Sequence, residues 1–136
     1  MAIGLNNLAE LLRDTNRLAE AEPLYRRALA IDEASFGPDH PEVARGLNNL
    51  ALLLKATNRL SNAEPLSRRQ LEIFLEITAA TGHQHPYLRT AVGNYSVLLE
   101  EMGRSPSQIR AQLEEIGRSL GIVNRFWTNR FWRTGK

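Results

Sequence analysis

The sequence predicts an all-α protein, an α-solenoid of three stacked antiparallel helix hairpins followed by a C-terminal tail or capping helix. Three observations carry that expectation. A 28-residue stretch from Gly4 to Ile31 recurs from Gly46 to Ile73, at an offset of 42 residues and with 20 of the 28 positions identical. Within each copy the apolar residues return at the spacing of one helical face. Breaker residues punctuate the chain between these stretches at matching places. Self-similarity at a fixed period of roughly 20–50 residues is the mark of a repeat array, so it takes precedence over any element-by-element reading.

A weaker third copy follows. GPDHPEVARGLNNLALLLKATNR, from Gly37, matches GHQHPYLRTAVGNYSVLLEEMGR, from Gly82, at an offset of 45 residues. Three extra residues therefore precede Gly82, close to one helical turn. The units fall at about 1–40, 41–85 and 86–121 of a repeat domain spanning 1–121, and 122–136 form a tail. Three units are near the minimum for a stable array.

In the first helix Leu5, Leu8, Ala9 and Leu12 recur at i, i+3, i+4 and i+7, a stripe for burial. Thr15-Asn16-Arg17 then breaks the pattern, and Asn16, like Asn58 and Gly103 in the later copies, tolerates a left-handed backbone at a helix end. A turn this short makes the two helices antiparallel neighbours. Ala21, Leu24, Tyr25 and Ala28 repeat the buried spacing in the second helix. The linker Phe36-Gly37-Pro38-Asp39-His40-Pro41 closes the unit, with Pro41 suited to the first turn of the next helix, and Gly82 to Pro86 play the same part before the third unit. Ser105-Pro106-Ser107-Gln108 reads as a capping box with proline at the first helical position, and Ile109, Leu113, Ile116 and Leu120 follow as the buried stripe of the last helix, which Gly121 ends.

Unit two departs from the pattern where its second helix packs: Ser67 replaces Tyr25 and Gln70 replaces Ala28. A lost aromatic costs about 3 kcal/mol or more if a cavity remains. Tyr95 and Phe74 are the residues expected to refill that space.

Composition narrows the function classes. At 136 residues one domain is the default, and 43% hydrophobic with 24% charged residues is ordinary for a globular chain. The absence of cysteine removes disulfides, thiolate zinc sites and thiol nucleophiles. No apolar run approaches the roughly 18 residues of a membrane span. The N-terminus lacks the basic segment, compact apolar core and cleavage site of a secretory signal, so a cytoplasmic location is expected. No phosphate loop, nucleophile elbow or zinc-protease motif occurs, and the adjacent carboxylates Glu100-Glu101 and Glu114-Glu115 point to different sides of their helices. His83 and His85 do not imply a metal, since His85 aligns with His40, where a helix-starting role suffices. The reading is a non-enzyme with no cofactor and no metal.

These residues carry a resemblance. Leu5, Leu8, Ala9, Leu12, Ala21, Tyr25 and Ala28, in their helix-turn-helix spacing, resemble the tetratricopeptide repeat. The 42-residue period, the LNNLA string and the GPDHPEVA linker look like the variety found in kinesin light chains. The resemblance implies hairpins stacked into a superhelix whose concave wall, built from the first helices, binds an extended peptide or protein segment without catalysis.

Helical geometry selects the groove residues. With Leu5, Leu8, Ala9 and Leu12 buried, Asn6, Glu10 and Arg13 share another face at i, i+4 and i+7. Their counterparts are Asn48, Leu52 and Lys55 in unit two and Gly93, Val97 and Glu100 in unit three. By resemblance the Asn6 and Asn48 row bonds the backbone of an extended peptide, an amide offering both donor and acceptor. Leu52 and Val97 suggest an apolar anchor in the ligand, or else a surface that the tail covers. Relatives that clamp a C-terminal carboxylate need cations that this grid mostly lacks. Asn7, Asn49 and Asn94, one helical step away, are expected to bond neighbouring backbone, and the pairs Glu22 with Arg26 and Glu64 with Arg68 to be solvated helix charges.

The tail carries Arg-Phe-Trp twice, at Arg125 and Arg130. Continuing the last stripe selects Val123, Trp127 and Phe131, while Phe126 and Trp132 point elsewhere. Capping of unit three, disorder, self-association into a homo-oligomeric scaffold, and contact with nucleic acid or lipid all remain open for Phe126, Trp127, Phe131 and Trp132. The net charge of +2 divides unevenly: 12 basic and 15 acidic residues from Met1 to Glu115, then five basic and no acidic ones from Ile116 to Lys136. A mildly acidic body argues against a nucleic-acid partner.

Overall fold

A computed structural model describes residues 2–121. Among them are six helices and no strand: α1 (Ala2–Asp14), α2 (Leu18–Phe36), α3 (Pro41–Ala56), α4 (Leu60–Thr81), α5 (Leu88–Glu101) and α6 (Pro106–Ser119). The fold is of the all-α helical-repeat class. The tail, with Phe126, Trp127, Phe131 and Trp132, lies outside the described residues. The chain divides into two compact units, one from Met1 to Gln70 and one from Leu71 onward.

The turns form as their residues dictate. Asn16 and Asn58 adopt φ of 62° and 60°, and Gly103 adopts 92°. Around each, the same pair of bonds closes the preceding helix: Thr15 N–H to the Leu11 carbonyl at 3.0 Å and Arg17 N–H to that of Leu12 at 2.7 Å, repeated by Thr57 to Leu53 and Arg59 to Leu54 and by Met102 to Leu98 and Arg104 to Leu99. A left-handed residue is what lets the chain turn back and satisfy those end carbonyls. The three extra residues before Gly82 lengthen the helix, α4 having 22 residues against 19 in α2.

In each linker a histidine side chain accepts a backbone N–H just ahead of the next helix. His40 is the N-cap of α3, its Nδ1 accepting the Glu42 N–H at 3.1 Å, with Pro41 in the first turn. Its ring stacks on Phe36, centroids 4.4 Å apart. In the second unit His85 Nδ1 accepts the Tyr87 N–H at 3.1 Å, and the ring lies 4.6 Å from that of Phe74. Pro86 differs from its counterpart Pro41: it sits in a turn, and α5 begins two residues later at Leu88. At the last helix Ser105 and Gln108 form the reciprocal capping box, and Ile109, Leu113 and Ile116 are buried, whereas Leu120, expected in the same stripe, is half-buried at the C-cap.

Two expectations of burial are corrected. In α1 the buried residues are Ala2, Asn6 and Ala9, whereas Leu8 is exposed and Leu5 and Leu12 are half-buried. The predicted stripe presumed cover on two sides, as α3 has. In α3 the equivalents of Leu5, Leu8 and Leu12 are all buried, as Leu47, Leu50 and Leu54. The second correction concerns Leu24, half-buried where Ala21, Tyr25 and Ala28 around it are fully enclosed. Ser67 and Gln70 are both buried, and Tyr95 is fully enclosed in the second unit with the Gln112 amide 3.4 Å from its hydroxyl.

Candidate functional site

The first helices carry the candidate residues, and each helix presents them differently. On α3, Asn48, Leu52 and Lys55 share one face, with Leu52 38% exposed and the two polar residues half-buried. On α5, Gly93 and Glu100 are exposed and Val97 is 47% exposed. Leu52 and Val97 thus occupy one repeat position and both meet solvent, although buried leucines surround them in sequence. On α1, Glu10 and Arg13 are half-buried, and the Arg13 guanidinium donates to Asp14 at 3.3 Å.

Asn6 departs from the solvent-facing place expected of it. It is only 6% exposed, and its Oδ1 finds no hydrogen-bond partner among the described residues. The reason lies in the burial face of α1, which turns Ala2, Asn6 and Ala9 inward at i, i+4 and i+7. Asn49 in α3 likewise keeps a buried Nδ2 without a partner. Orphaned buried amide atoms are rare, because each forfeits a hydrogen bond that water supplied in the unfolded chain.

Electrostatics around the first unit were only partly foreseen. Glu22, expected to be a solvated partner of Arg26, instead accepts from two arginines: Arg26 at 3.0 Å and Arg59, 37 residues away in the next hairpin turn. The bond from Arg59 holds the Glu22 carboxyl below the ordinary glutamate range, with Arg26 adding to the effect against partial burial. Arg69 of α4 reaches back to the Asp39 carboxylate and the Pro38 carbonyl in the linker. Asp32 is buried, and desolvation, reinforced by Glu42, raises its carboxyl against the pull of Arg45 and His40. Burial likewise raises the Tyr25 hydroxyl. The Arg59 and Arg69 contacts leave no local sequence signal, since each joins residues 30 or more apart.

Among the described residues no group of three or more histidine, aspartate or glutamate side chains is placed to hold a metal ion. The helix pairs, their left-handed turns and the recurring 42-residue unit agree with one family, and its description, tetratricopeptide repeat, matches residues 1–76. The chain belongs to the tetratricopeptide repeat family. A comparison with curated proteins found no match. Tetratricopeptide repeats are generally non-enzymatic modules that mediate protein–protein interaction. None of the described helices is long and apolar enough to cross a membrane.

Proposed function

We propose that this tetratricopeptide protein binds an extended peptide or protein segment along its first helices, in a groove lined by Asn6, Glu10, Arg13, Asn48, Leu52, Lys55, Val97 and Glu100. The observation that carries the reading is the paired exposure of Leu52 and Val97 at one repeat position. A recurring apolar residue on a face otherwise made of amides and charges suits an apolar side chain of a ligand. The 42-residue unit and the LNNLA string support placing the chain with the kinesin-light-chain variety.

A peptide library on a solid support, probed with the full chain, tests the reading. A discrete set of peptides with an apolar anchor is expected to bind, and the Asn48→Ala, Leu52→Ala double variant is expected to lose them while keeping its helicity. Equal binding by that variant would remove the groove assignment. A second reading, self-association through apolar flanks, is favoured by the exposure of Ile3, Leu8 and Leu11 on α1.

A further inference from the structure

Gly4, Leu8 and Leu11 on α1 hold the same repeat positions as Gly46, Leu50 and Leu53 on α3, at i, i+4 and i+7 of one stripe. On α3 the stripe is covered. Leu50 is 1% exposed and Leu53 fully enclosed, and a Cβ built on Gly46 would lie 3.1 Å from Leu29 Cδ1 of α2. A leucine knob thus fills a glycine notch. On α1 the stripe is open: Leu8 is 47% and Leu11 60% exposed, Ile3 beside them is 69% exposed, and a Cβ on Gly4 would meet nothing within 4 Å.

The geometry points to a second copy of this chain as the occupant, with two α1 helices paired antiparallel about a point between Asn7 and Leu8. The inference rests on the self-association reading and is independent of the groove. Gly4 and Leu11 are seven residues apart, about two helical turns. A two-fold axis between Asn7 and Leu8 therefore sets Leu11 of each copy into the Gly4 notch of the other, reproducing twice the contact that Leu29 makes with Gly46. A two-fold interface requires this self-complementarity, in which one patch carries both knob and notch.

Charge agrees with the pairing. The exposed arc of Ile3, Gly4, Asn7, Leu8 and Leu11 contains no ionisable side chain, so nothing charged loses water at its centre. At its end, exposed Asp14 comes over the first turn of the opposite α1, the positive end of that helix dipole, and that turn has no acidic residue of its own. Asn6 and Arg13 lie to the other side of the helix, while Glu10, seven residues from Ile3, borders the paired face.

Sedimentation velocity of the full chain, from micromolar to millimolar concentration, tests the pair. The wild type is expected to rise from 15.3 kDa toward twice that mass. Leu11→Glu is expected to stay monomeric with unchanged far-UV circular dichroism. Gly4→Leu fills the notch while adding apolar surface, and is expected to weaken association by about tenfold or more. A wild type that stays monomeric throughout overturns the pair and the self-association reading together. Association undiminished in both variants, or strengthened by Gly4→Leu, overturns the α1 pairing alone and leaves assembly through another surface.

Discussion

Leu29 of α2 stands against Gly46 of α3 so closely that a Cβ on the glycine would come within 3.1 Å of Leu29 Cδ1 and 3.7 Å of its Cβ. The equivalent Gly4 on α1 has open space around it. Alanine is favoured over glycine in a helix interior by about 1 kcal/mol. Gly4→Ala is therefore expected to stabilise the protein by nearly that amount in urea unfolding. Gly46→Ala must displace the Leu29 tip by a few tenths of an ångström and is expected to gain less. Gly46→Leu overfills the contact and is expected to cost about 1–3 kcal/mol. Equal gains from the two alanine variants would contradict the close approach of α2 to α3.

Glu22 joins Arg26 of its own helix to Arg59 of the following turn. Its folded pKa lies below the ordinary glutamate value of about 4.3. The carboxylate thus contributes stability that is present above that value and lost as pH falls through the lowered folded value. Glu22→Gln is expected to lose about 1 kcal/mol or less at pH 7, since Arg59 is well exposed to screening water. Below the folded pKa the variant and the wild type should unfold alike, and paired urea titrations across that range measure the convergence.

Asp32 works with the opposite sign. Burial raises its folded pKa, so the ionised carboxylate opposes folding at neutral pH, and the penalty fades as pH falls through the raised value toward the ordinary value of about 3.9. Asp32→Asn is expected to raise the melting temperature at pH 7, by an amount that shrinks as pH is lowered toward about 4 and vanishes below it. A variant that melts lower than wild type at pH 7 would show that the charge is compensated in the folded state.

His40 combines a cap with a ring stack. Its Nδ1 accepts the Glu42 N–H, and its ring lies 4.4 Å from that of Phe36. Removing both in His40→Ala is expected to cost about 1–2 kcal/mol. His40→Asn keeps a good capping acceptor and loses the ring, so it should recover about 1 kcal/mol of that. Recovery of nothing would assign the stabilisation to the stack.

The fold was legible where the information is local. A 3.6-residue apolar period, an asparagine or glycine in a left-handed turn, and a histidine or serine ahead of proline each act within a few residues. The turns at Asn16, Asn58 and Gly103, the start of α3 at Pro41 and the capping box at Ser105 accordingly stand where the residues place them. The start of α5 shifted by two residues, an ordinary slip for an element end. The solvent-facing place of Leu52 and Val97 was legible too, because their neighbours on the helix define the buried side. Asn6 was misplaced because which side of α1 is covered depends on how α2 packs against it, which the residues of α1 do not themselves encode. The ties of Glu22 to Arg59 and Asp39 to Arg69 were illegible for the same reason.

The repeat itself separates the two kinds of information, since Gly4, Asn6, Leu8 and Leu11 are identical in type to Gly46, Asn48, Leu50 and Leu53. Matching residues form helices and left-handed turns at matching places, so the sequence by itself determined an all-helical repeat with its hairpins and caps. Only the tertiary structure decided that Leu50 and Leu53 are core while Leu8 and Leu11 meet solvent, and that Asn6 is buried while Asn48 is half-exposed. The physical reason is that a backbone conformation is set by nearest neighbours, whereas burial depends on what another helix covers. On α3, Leu29 of α2 lies against Gly46, whereas on α1 no described residue comes within 4 Å of a Cβ placed on Gly4.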